Sequence, residues 1–174
     1  RGRLFLLQTR AGKRTAQAAV RIAVEMAEEG LISREEAVMR VEANALPGLL
    51  RPSVDRDQAP RPLLKGLPAS PGAAVGHAAF TNEAVERFHA QGLPAVLVRP
   101  ETTPEDITGM YLAKGILTAR GGLTSHAAVV ARGMGRPCVA GAGEIRIDAK
   151  LGEFRAAGRV VKKGQTITVD GAAG

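Results

Sequence analysis

The residues best suited to chemistry lie in the run GGLTSHAAVVARG at residues 121–133. Gly121 and Gly122 have no Cβ, so the backbone can turn sharply there and a reactant can come close. We predict that Thr124 is the N-cap of a helix, which puts His126 in the first helical turn. The free N–H groups and the dipole of a helix N-terminus favour an anion at that position. Because a neutral imidazole is nucleophilic and its ordinary pKa is about 6.5, the pattern predicts a histidine that carries a phosphoryl group.

The segment that follows this histidine, residues 127–131, is entirely apolar. An apolar helix must be buried, and burial would fix its N-terminus, and with it His126, against a sheet. A histidine near a helix start is more often a polar surface residue or a hydrogen-bonded core residue, and only the flanking pattern favours a function here. His77 falls in a predicted strand and is interpreted as structural, and His89 lies on the polar face of a predicted helix.

Composition limits the classes of function that the chain can have. Its 174 residues are 45% hydrophobic and only 3% aromatic, so the core must be built from Ala, Val, Leu and Ile. The net charge of +7 is spread along the chain, with 12 basic and 8 acidic residues in residues 1–65 and 12 and 9 in residues 66–174. Basic surfaces that bind nucleic acid are usually clustered and interleaved with aromatic residues. We therefore expect no nucleic-acid partner.

The cysteine content and the apolar runs bear on the compartment. Cys138 is the only cysteine, so these residues form no disulfide among themselves, which fits a reducing compartment. Its apolar neighbours predict a packed thiol in a strand. The sequence has no apolar run of membrane-spanning length and no secretory signal, so we expect a cytoplasmic protein without a membrane partner.

The first part of the sequence predicts a short strand, two helices and a linker. Residues 4–7 (LFLL) indicate a buried strand, although a single strand needs partners. Apolar residues at helical spacing predict a helix over residues 15–29. A capping box that begins at Ser33 opens a second helix, to about residue 44, and the two helices form an αα-hairpin. Four prolines between residues 46 and 62 predict a stiff connector and a domain boundary.

The second part alternates strands and helices. We predict helices over residues 82–91, after Thr103 and after Thr124, and strands at residues 73–80, 95–99, 114–119, 138–140, 145–148, 154–156 and 166–169. Glycines separate the last strands as turns. The pattern predicts an α/β fold with mixed sheets and a β/β/α core, rather than one doubly wound sheet.

The sequence GGLTSHAAVVARGMGRPCVAG, residues 121–141, resembles the phosphohistidine motif of the PEP-utilising enzymes. Within that family it is most similar to the pyruvate, phosphate dikinases, through Ser125 before the histidine and the run ARGMG that follows. The run PETTPEDITGM at residues 100–110 and the run ASPG at residues 69–72 are similar to segments of the same family. Leu123 departs from the Met or Arg of the family, but it is apolar like Met.

The resemblance implies a swivelling β/β/α phosphohistidine domain over residues 63–174, preceded by a helical hairpin linker over residues 15–62. Residues 1–14 would be the C-terminal tail of an ATP-grasp nucleotide-binding domain. His126 would take a phosphoryl group from ATP, in a reaction that also consumes inorganic phosphate, and would pass it to pyruvate to form phosphoenolpyruvate. The alternative within the same chemistry is PEP synthase or a related PEP-utilising phosphotransferase, and water replaces inorganic phosphate in PEP synthase.

Other residues of the motif are candidates to stabilise the phosphoryl charge. Arg120 offers a guanidinium, Gly122 a close backbone approach, and Thr124 and Ser125 two hydroxyls. Arg132 is given less weight, because a residue six positions beyond the histidine would face away. The resemblance also makes Thr124 a candidate regulatory phosphorylation site, where added charge would repel an incoming phosphoryl group.

The same resemblance implies partners and cofactors outside these residues. Gln8 and Arg10 would contact nucleotide phosphates in a site that this chain leaves incomplete. The partners would be the ATP-grasp domain and the PEP/pyruvate barrel domain of one longer chain, with ATP, phosphate and pyruvate as reactants and a regulatory kinase and phosphatase acting on Thr124. The full-length enzyme would need Mg²⁺ with ATP and with pyruvate or PEP, whereas we expect no metal ligands in this chain.

A hypothesis from a different class is a binding or regulatory module in which the histidine is structural. An imidazole buried with both nitrogens bonded to protein would favour that hypothesis.

Overall fold

The computed structural model describes residue 2 and residues 5–10, 12, 14–55 and 57–174. The chain divides into two compact units, residues 1–50 and residues 51–174. The division falls within the proline-rich stretch that the sequence marks as a linker. Each unit is described by itself below.

The described part of the first unit contains three α-helices. Helix α1 (Ala16–Glu28) begins at the N-cap Thr15, whose hydroxyl accepts from the Ala18 N–H at 3.2 Å, so the helix predicted over residues 15–29 is confirmed. Helix α2 (Arg34–Met39) begins at the N-cap Ser33, whose hydroxyl accepts from the Glu36 N–H at 3.1 Å. A 3₁₀ turn (Ala43–Ala45) and helix α3 (Leu46–Leu49) follow.

The predicted end of the second helix was wrong. Helix α2 ends at Met39 rather than near residue 44. The Arg40 N–H is shared between the Glu36 carbonyl at 3.1 Å and the Ala37 carbonyl at 3.3 Å, and the Val41 N–H donates to the Val38 carbonyl at 3.2 Å, so the last turn closes in the tighter 3₁₀ manner. The stretch predicted to be a stiff connector, residues 46–62, begins with α3, and its first proline lies in the first helical turn, where a missing N–H costs nothing.

The predicted strand at residues 4–7 was also wrong. Phe5, Leu6 and Leu7 have no regular structure and are 72%, 85% and 94% exposed, and Leu4 lies outside the described residues. A strand forms only against a partner strand, and the structure pairs no strand with these three residues.

The second unit is built on a six-stranded sheet with the order β1-β5-β4-β3-β2-β9. Strands β2 to β5 run parallel to one another, and β1 and β9 close the two edges in antiparallel pairing. The strands are β1 (Leu67–Ser70), β2 (Ala73–Ala79), β3 (Ala95–Arg99), β4 (Gly115–Thr118), β5 (Cys138–Ala140) and β9 (Thr166–Asp170). The predicted strands at residues 73–80, 95–99, 114–119, 138–140 and 166–169 are confirmed.

Three helices cover one face of this sheet, and each connects two neighbouring parallel strands. They are α4 (Asn82–Ala90), α5 (Ile107–Leu112) and α6 (His126–Met134). Their buried residues form one cluster with the side chains of Leu97, Ile116 and Cys138 from the sheet. A short 3₁₀ turn (Pro104–Asp106), capped by Thr103, precedes α5.

A second sheet covers the opposite face. It consists of β6 (Arg146–Asp148), β7 (Glu153–Ala156) and β8 (Arg159–Lys162), in that order. Phe154 packs with Val96 and Val98, which alternate along β3 with the helix-facing Leu97. The unit therefore has three layers, helices on a large sheet on a small sheet, and the predicted β/β/α core is confirmed.

This topology brings the carboxyl ends of β2 to β5 to one edge of the sheet. The loop between β4 and α6, which carries the predicted histidine motif, leaves the sheet at that edge. No helix in the described part of the chain is long and apolar enough to cross a membrane.

Candidate functional site

The loop before the histidine is held to the end of the sheet by backbone hydrogen bonds. The Arg120 N–H donates to the Pro100 carbonyl at 2.8 Å, and the buried hydroxyl of Thr118 donates to the Arg120 carbonyl at 2.8 Å. Gly121 then turns the chain with a φ of +106°, a conformation that favours glycine. A Cβ at Gly121 would lie 2.9 Å from the Ser125 side chain, so this glycine is required by both conformation and space.

Helix α6 begins at His126, and its N-cap is Ser125. The Ser125 hydroxyl accepts from the Ala128 N–H at 3.4 Å. The prediction that Thr124 is the N-cap was wrong by one residue. The Ser125 N–H donates to the Gly122 carbonyl at 3.0 Å, which closes a turn around Thr124 and leaves that residue exposed, one position before the cap.

The imidazole of His126 is half-buried at the first position of α6. Its Nε2 is shielded from solvent and has no hydrogen-bond partner within the described residues. A buried polar atom without a partner costs about 1–3 kcal/mol. A purely structural histidine is expected to have both ring nitrogens bonded to protein. His126 does not have this arrangement, because its Nε2 has no partner within the described residues.

His77, in the same unit, has one ring nitrogen bonded to the backbone. Its Nδ1 lies 2.7 Å from the Gly164 carbonyl oxygen, and its ring stacks on Phe88 at 5.3 Å between centroids. His89 is exposed on α4. Of the three histidines, His126 is the one with a shielded and unpartnered ring nitrogen.

Charged side chains from two neighbouring loops lie beside the histidine loop. The Arg120 guanidinium pairs with the Glu101 carboxylate at 3.2 Å, and both side chains are exposed. The pKa of Glu105 is lowered, first by the Thr103 hydroxyl, then by its own backbone N–H, and to a smaller extent by charge on His126. Glu105 is therefore within electrostatic reach of the imidazole, a neighbour that the sequence reasoning did not identify.

The spacing of Arg132 from the histidine predicts a side chain that faces away from the loop, and this prediction was wrong. One terminal nitrogen donates to the Leu123 carbonyl at 2.7 Å, and the other donates to the Ala69 carbonyl at 2.8 Å. The guanidinium thus connects the histidine loop to strand β1.

Two glycines near the loop differ in what surrounds them. A Cβ on Gly141, whose φ is +64°, would lie 2.6 Å from the Gly121 carbonyl oxygen. A Cβ on Gly122 would meet nothing within 4 Å, so the fold itself does not explain the glycine there. The space in front of Gly122 is open to a reactant.

Other polar and charged residues have structural settings or lie elsewhere. Arg99 forms an ion pair with the buried Asp106 at 3.4 Å and donates to the Phe80 carbonyl at 3.1 Å, which explains it as part of the fold. Gln8 and Arg10 are exposed residues of an irregular segment in the first unit. Their contact with nucleotide remains a prediction.

Two further features do not belong to this site. A cleft of about 660 Å³, lined by Arg51, Lys114 and Arg136 among others, opens where β2 begins and where the connections into β4 and β5 pass, at the amino ends of the parallel strands. Burial raises the pKa of the Cys138 thiol to about 12, so it is not a nucleophile at neutral pH. Among the residues that the structure describes, no group of three or more His, Cys, Asp or Glu side chains could hold a metal ion.

The second unit is a β/β/α module that presents a histidine at the start of a buried helix, and one known family matches most of it. Residues 93–174 match the family described as PEP-utilising enzyme, mobile domain. The resemblance inferred from the histidine motif is confirmed.

Over its whole length the chain is similar to the pyruvate, phosphate dikinases. It is 55% identical over 174 residues to the enzyme of Rhizobium meliloti (strain 1021). The aligned region covers 100% of this chain and 19% of that enzyme. It is 52% identical to the chloroplastic enzyme of Flaveria trinervia, over 99% of this chain and 18% of the enzyme. It is 50% identical to the enzyme of Clostridium symbiosum, over 99% of this chain and 20% of that enzyme.

The chain therefore spans about a fifth of the length of these curated relatives. It corresponds to the dikinase segment that contains the mobile domain, and the similarity favours the dikinases over PEP synthase.

Proposed function

We propose that His126 carries a phosphoryl group between two active sites of a pyruvate, phosphate dikinase. A ring nitrogen attacks the β-phosphorus of ATP and AMP leaves. Inorganic phosphate then accepts the terminal phosphoryl group as pyrophosphate, and a phosphohistidine remains. The phosphohistidine finally transfers its phosphoryl group to the enolate oxygen of pyruvate, which gives phosphoenolpyruvate and frees the imidazole. Covalent catalysis of this kind divides one difficult transfer into easier steps.

The observation that carries the proposal is the unpartnered Nε2 of His126 at the start of a buried helix. Helix α6 is buried through Ala127, Ala128 and Ala131, and its first N–H groups provide a fixed positive end for the phosphoryl charge. Nε2 is covered in the structure, so transfer through it requires a rotation of the ring. No hydrogen bond of that nitrogen within the described residues opposes such a rotation.

The neighbouring residues have the properties that phosphoryl transfer needs. The Ser125 oxygen accepts from α6, so its own O–H is available to donate to a phosphoryl oxygen. Arg120 is mostly exposed and its ion pair with Glu101 is weak in water, so it can turn to a phosphoryl group at little cost. The open space at Gly122 allows a donor or acceptor to approach the backbone.

We further propose that Thr124 is a regulatory phosphorylation site. Its side chain is exposed and does not cap α6, so a kinase could modify it without unfolding the helix. A phosphate there would place about two negative charges two residues from His126 and would repel an incoming phosphoryl group.

The remaining parts of the reaction lie in other domains of the proposed enzyme. An ATP-grasp domain would supply ATP and phosphate, a barrel domain would hold pyruvate, and residues 63–174 would swivel between them. Gln8 and Arg10 would complete the nucleotide site. Mg²⁺ would act in those domains, with ATP in the first and with pyruvate or phosphoenolpyruvate in the second.

The proposal is tested in the full-length enzyme with ATP that carries label in the β-phosphoryl group. We expect acid-labile label on the wild type and on the His89→Ala variant, and none on His126→Ala. His89 is a matched control, because it is an exposed helical histidine of the same unit. Omission of inorganic phosphate should leave the pyrophosphorylated form in a dikinase, whereas PEP synthase would proceed with water. Equal labelling of His126→Ala and wild type would refute the role of His126.

A further inference from the structure

The end of strand β1 has an irregularity whose partner is Arg132. In the pairing of β1 with β5, Pro68 lies opposite Val139 and Ser70 lies opposite Cys138, so Ala69 is an extra residue without a partner. Such a bulge removes a residue from the ladder and leaves its backbone groups to be satisfied elsewhere. Ala69 is only 2% exposed. Its carbonyl accepts from Arg132 at 2.8 Å, and this bond satisfies a buried acceptor that the sheet does not.

The second half of the Arg132 fork reaches the histidine loop. The other terminal nitrogen donates to the Leu123 carbonyl at 2.7 Å. Leu123 lies between Gly122 and Ser125, whose backbone groups close the turn before α6. One planar guanidinium therefore fixes the loop with respect to β1, and two bonds in a rigid fork determine orientation as well as distance.

We infer that Arg132 is a positioning residue for the phosphohistidine: it holds the loop that presents His126 and does not touch the phosphoryl group. Both terminal nitrogens of the guanidinium already donate to backbone carbonyls. Hydrogen bonds from a charged donor are the stronger kind. The expected effect on phosphoryl transfer rests on the proposed function. The clamp, by which we mean the two bonds from Arg132 to the Ala69 and Leu123 carbonyls, is a property of the fold.

The test compares Arg132→Gln, Arg132→Lys and Arg136→Gln in the full-length enzyme. Arg136 is the matched control, because its guanidinium also donates to a backbone carbonyl, that of Tyr111 at 2.8 Å, away from the histidine loop. Hydrogen–deuterium exchange of peptides that cover residues 121–131 reports on the loop. Transfer of labelled phosphoryl from ATP to His126 gives kcat and KM.

We expect exchange at the Ser125 amide to rise about tenfold or more in Arg132→Gln, the change that loss of one charge-assisted bond produces. The kcat of transfer should fall by at least a similar factor, while the KM for ATP stays unchanged. Arg132→Lys keeps the charge but loses the two-pronged guanidinium. Its rise in exchange and its fall in kcat should both be smaller than those of Arg132→Gln, but neither should return to the wild-type value. Arg136→Gln should behave like the wild type in both measurements.

Three outcomes separate the possibilities. Unchanged exchange in the loop of Arg132→Gln would overturn the clamp. Faster hydrolysis of the phosphohistidine together with unchanged exchange would make Arg132 a phosphoryl ligand, which also overturns the inference. If the wild type takes no label, the proposed function fails, and the exchange measurement still decides whether Arg132 clamps the loop.

Discussion

Substitution of Gly141 by alanine tests whether the end of β5 supports the histidine loop. Gly141 follows β5 with a φ of +64°, and a Cβ there would lie 2.6 Å from the carbonyl oxygen of Gly121. Contacts this short between a Cβ and a backbone oxygen are not tolerated, so either the loop or the end of β5 must move. The Gly141→Ala variant therefore perturbs the loop without changing any chemical group in it.

The magnitude follows from a comparison with Gly135, which ends α6. Gly135 has nearly the same φ, +65°, but a Cβ there meets nothing within 4 Å. Gly135→Ala should cost only the left-handed penalty for an L-residue, about 1–2 kcal/mol. Gly141→Ala should cost this penalty and also the overpacking, about 1–3 kcal/mol more. The difference between the two variants isolates the contact with Gly121.

The assay is chemical and thermal unfolding of both variants, followed by phosphoryl transfer under conditions in which both are folded. At about 4 °C per kcal/mol for a domain of this size, Gly135→Ala should lower Tm by about 4–8 °C and Gly141→Ala by about 8–20 °C. In the folded proteins, only Gly141→Ala should slow phosphorylation of His126, by about ten- to a hundredfold, because it displaces the loop. If the two variants unfold within about 0.5 kcal/mol of each other, a margin at which surface substitutions are indistinguishable, or transfer phosphoryl equally fast, the contact does not support the loop.

Three further predictions concern single positions. Ser125→Ala should lower the free energy of unfolding by about 1 kcal/mol, because it removes the N-cap of α6. Thr124→Ala should leave the free energy of unfolding unchanged. Urea titrations measure both, and a larger loss in Thr124→Ala than in Ser125→Ala would contradict the cap assignment. Ala157 has a φ of +46° in the turn between β7 and β8, so Ala157→Gly should raise stability by about 1 kcal/mol, and a lower Tm would contradict this. The buried Cys138 thiol keeps its proton to about pH 12, whereas the unfolded thiol has an ordinary pKa of 9.0. Unfolding then releases a proton between these values, so the stability contribution is fully present below pH 9.0 and falls as pH rises towards 12, a trend that Cys138→Ala should remove.

The second unit could be predicted closely from the sequence because its local signals agree with one another. The apolar run after His126 requires a buried helix, and the strands with alternate residues facing two sides, such as Val96 and Leu97, require cover on both faces. These signals depend on residue type and spacing alone. The layer order and the position of the histidine at a helix start both follow from them.

The details that the sequence could not provide depend on tertiary contacts. Thr124 and Ser125 are both suitable caps by residue type, and the turn closed by the bond from the Ser125 N–H to the Gly122 carbonyl places Ser125 at the start of α6. The position of Arg132 predicts a side chain that faces away from the histidine. The bulge at Ala69 and the fold of the loop instead provide two carbonyls within its reach. The apolar residues 5–7 predict a strand, but hydrophobicity does not specify a partner.

The face that α6 turns to the sheet consists of alanines, and this has a mechanical consequence. Ala127, Ala128 and Ala131 are 2%, 0% and 0% exposed, so the fully buried residues of α6 are short and bring the helix axis close to the close-packed layer of Leu97, Ile116 and Cys138 on the sheet. Such a contact gives the helix little freedom to slide or tilt. Any displacement of the imidazole over a distance longer than its own side chain must then come from motion of the whole three-layer body, with this helix moving as a fixed part of it.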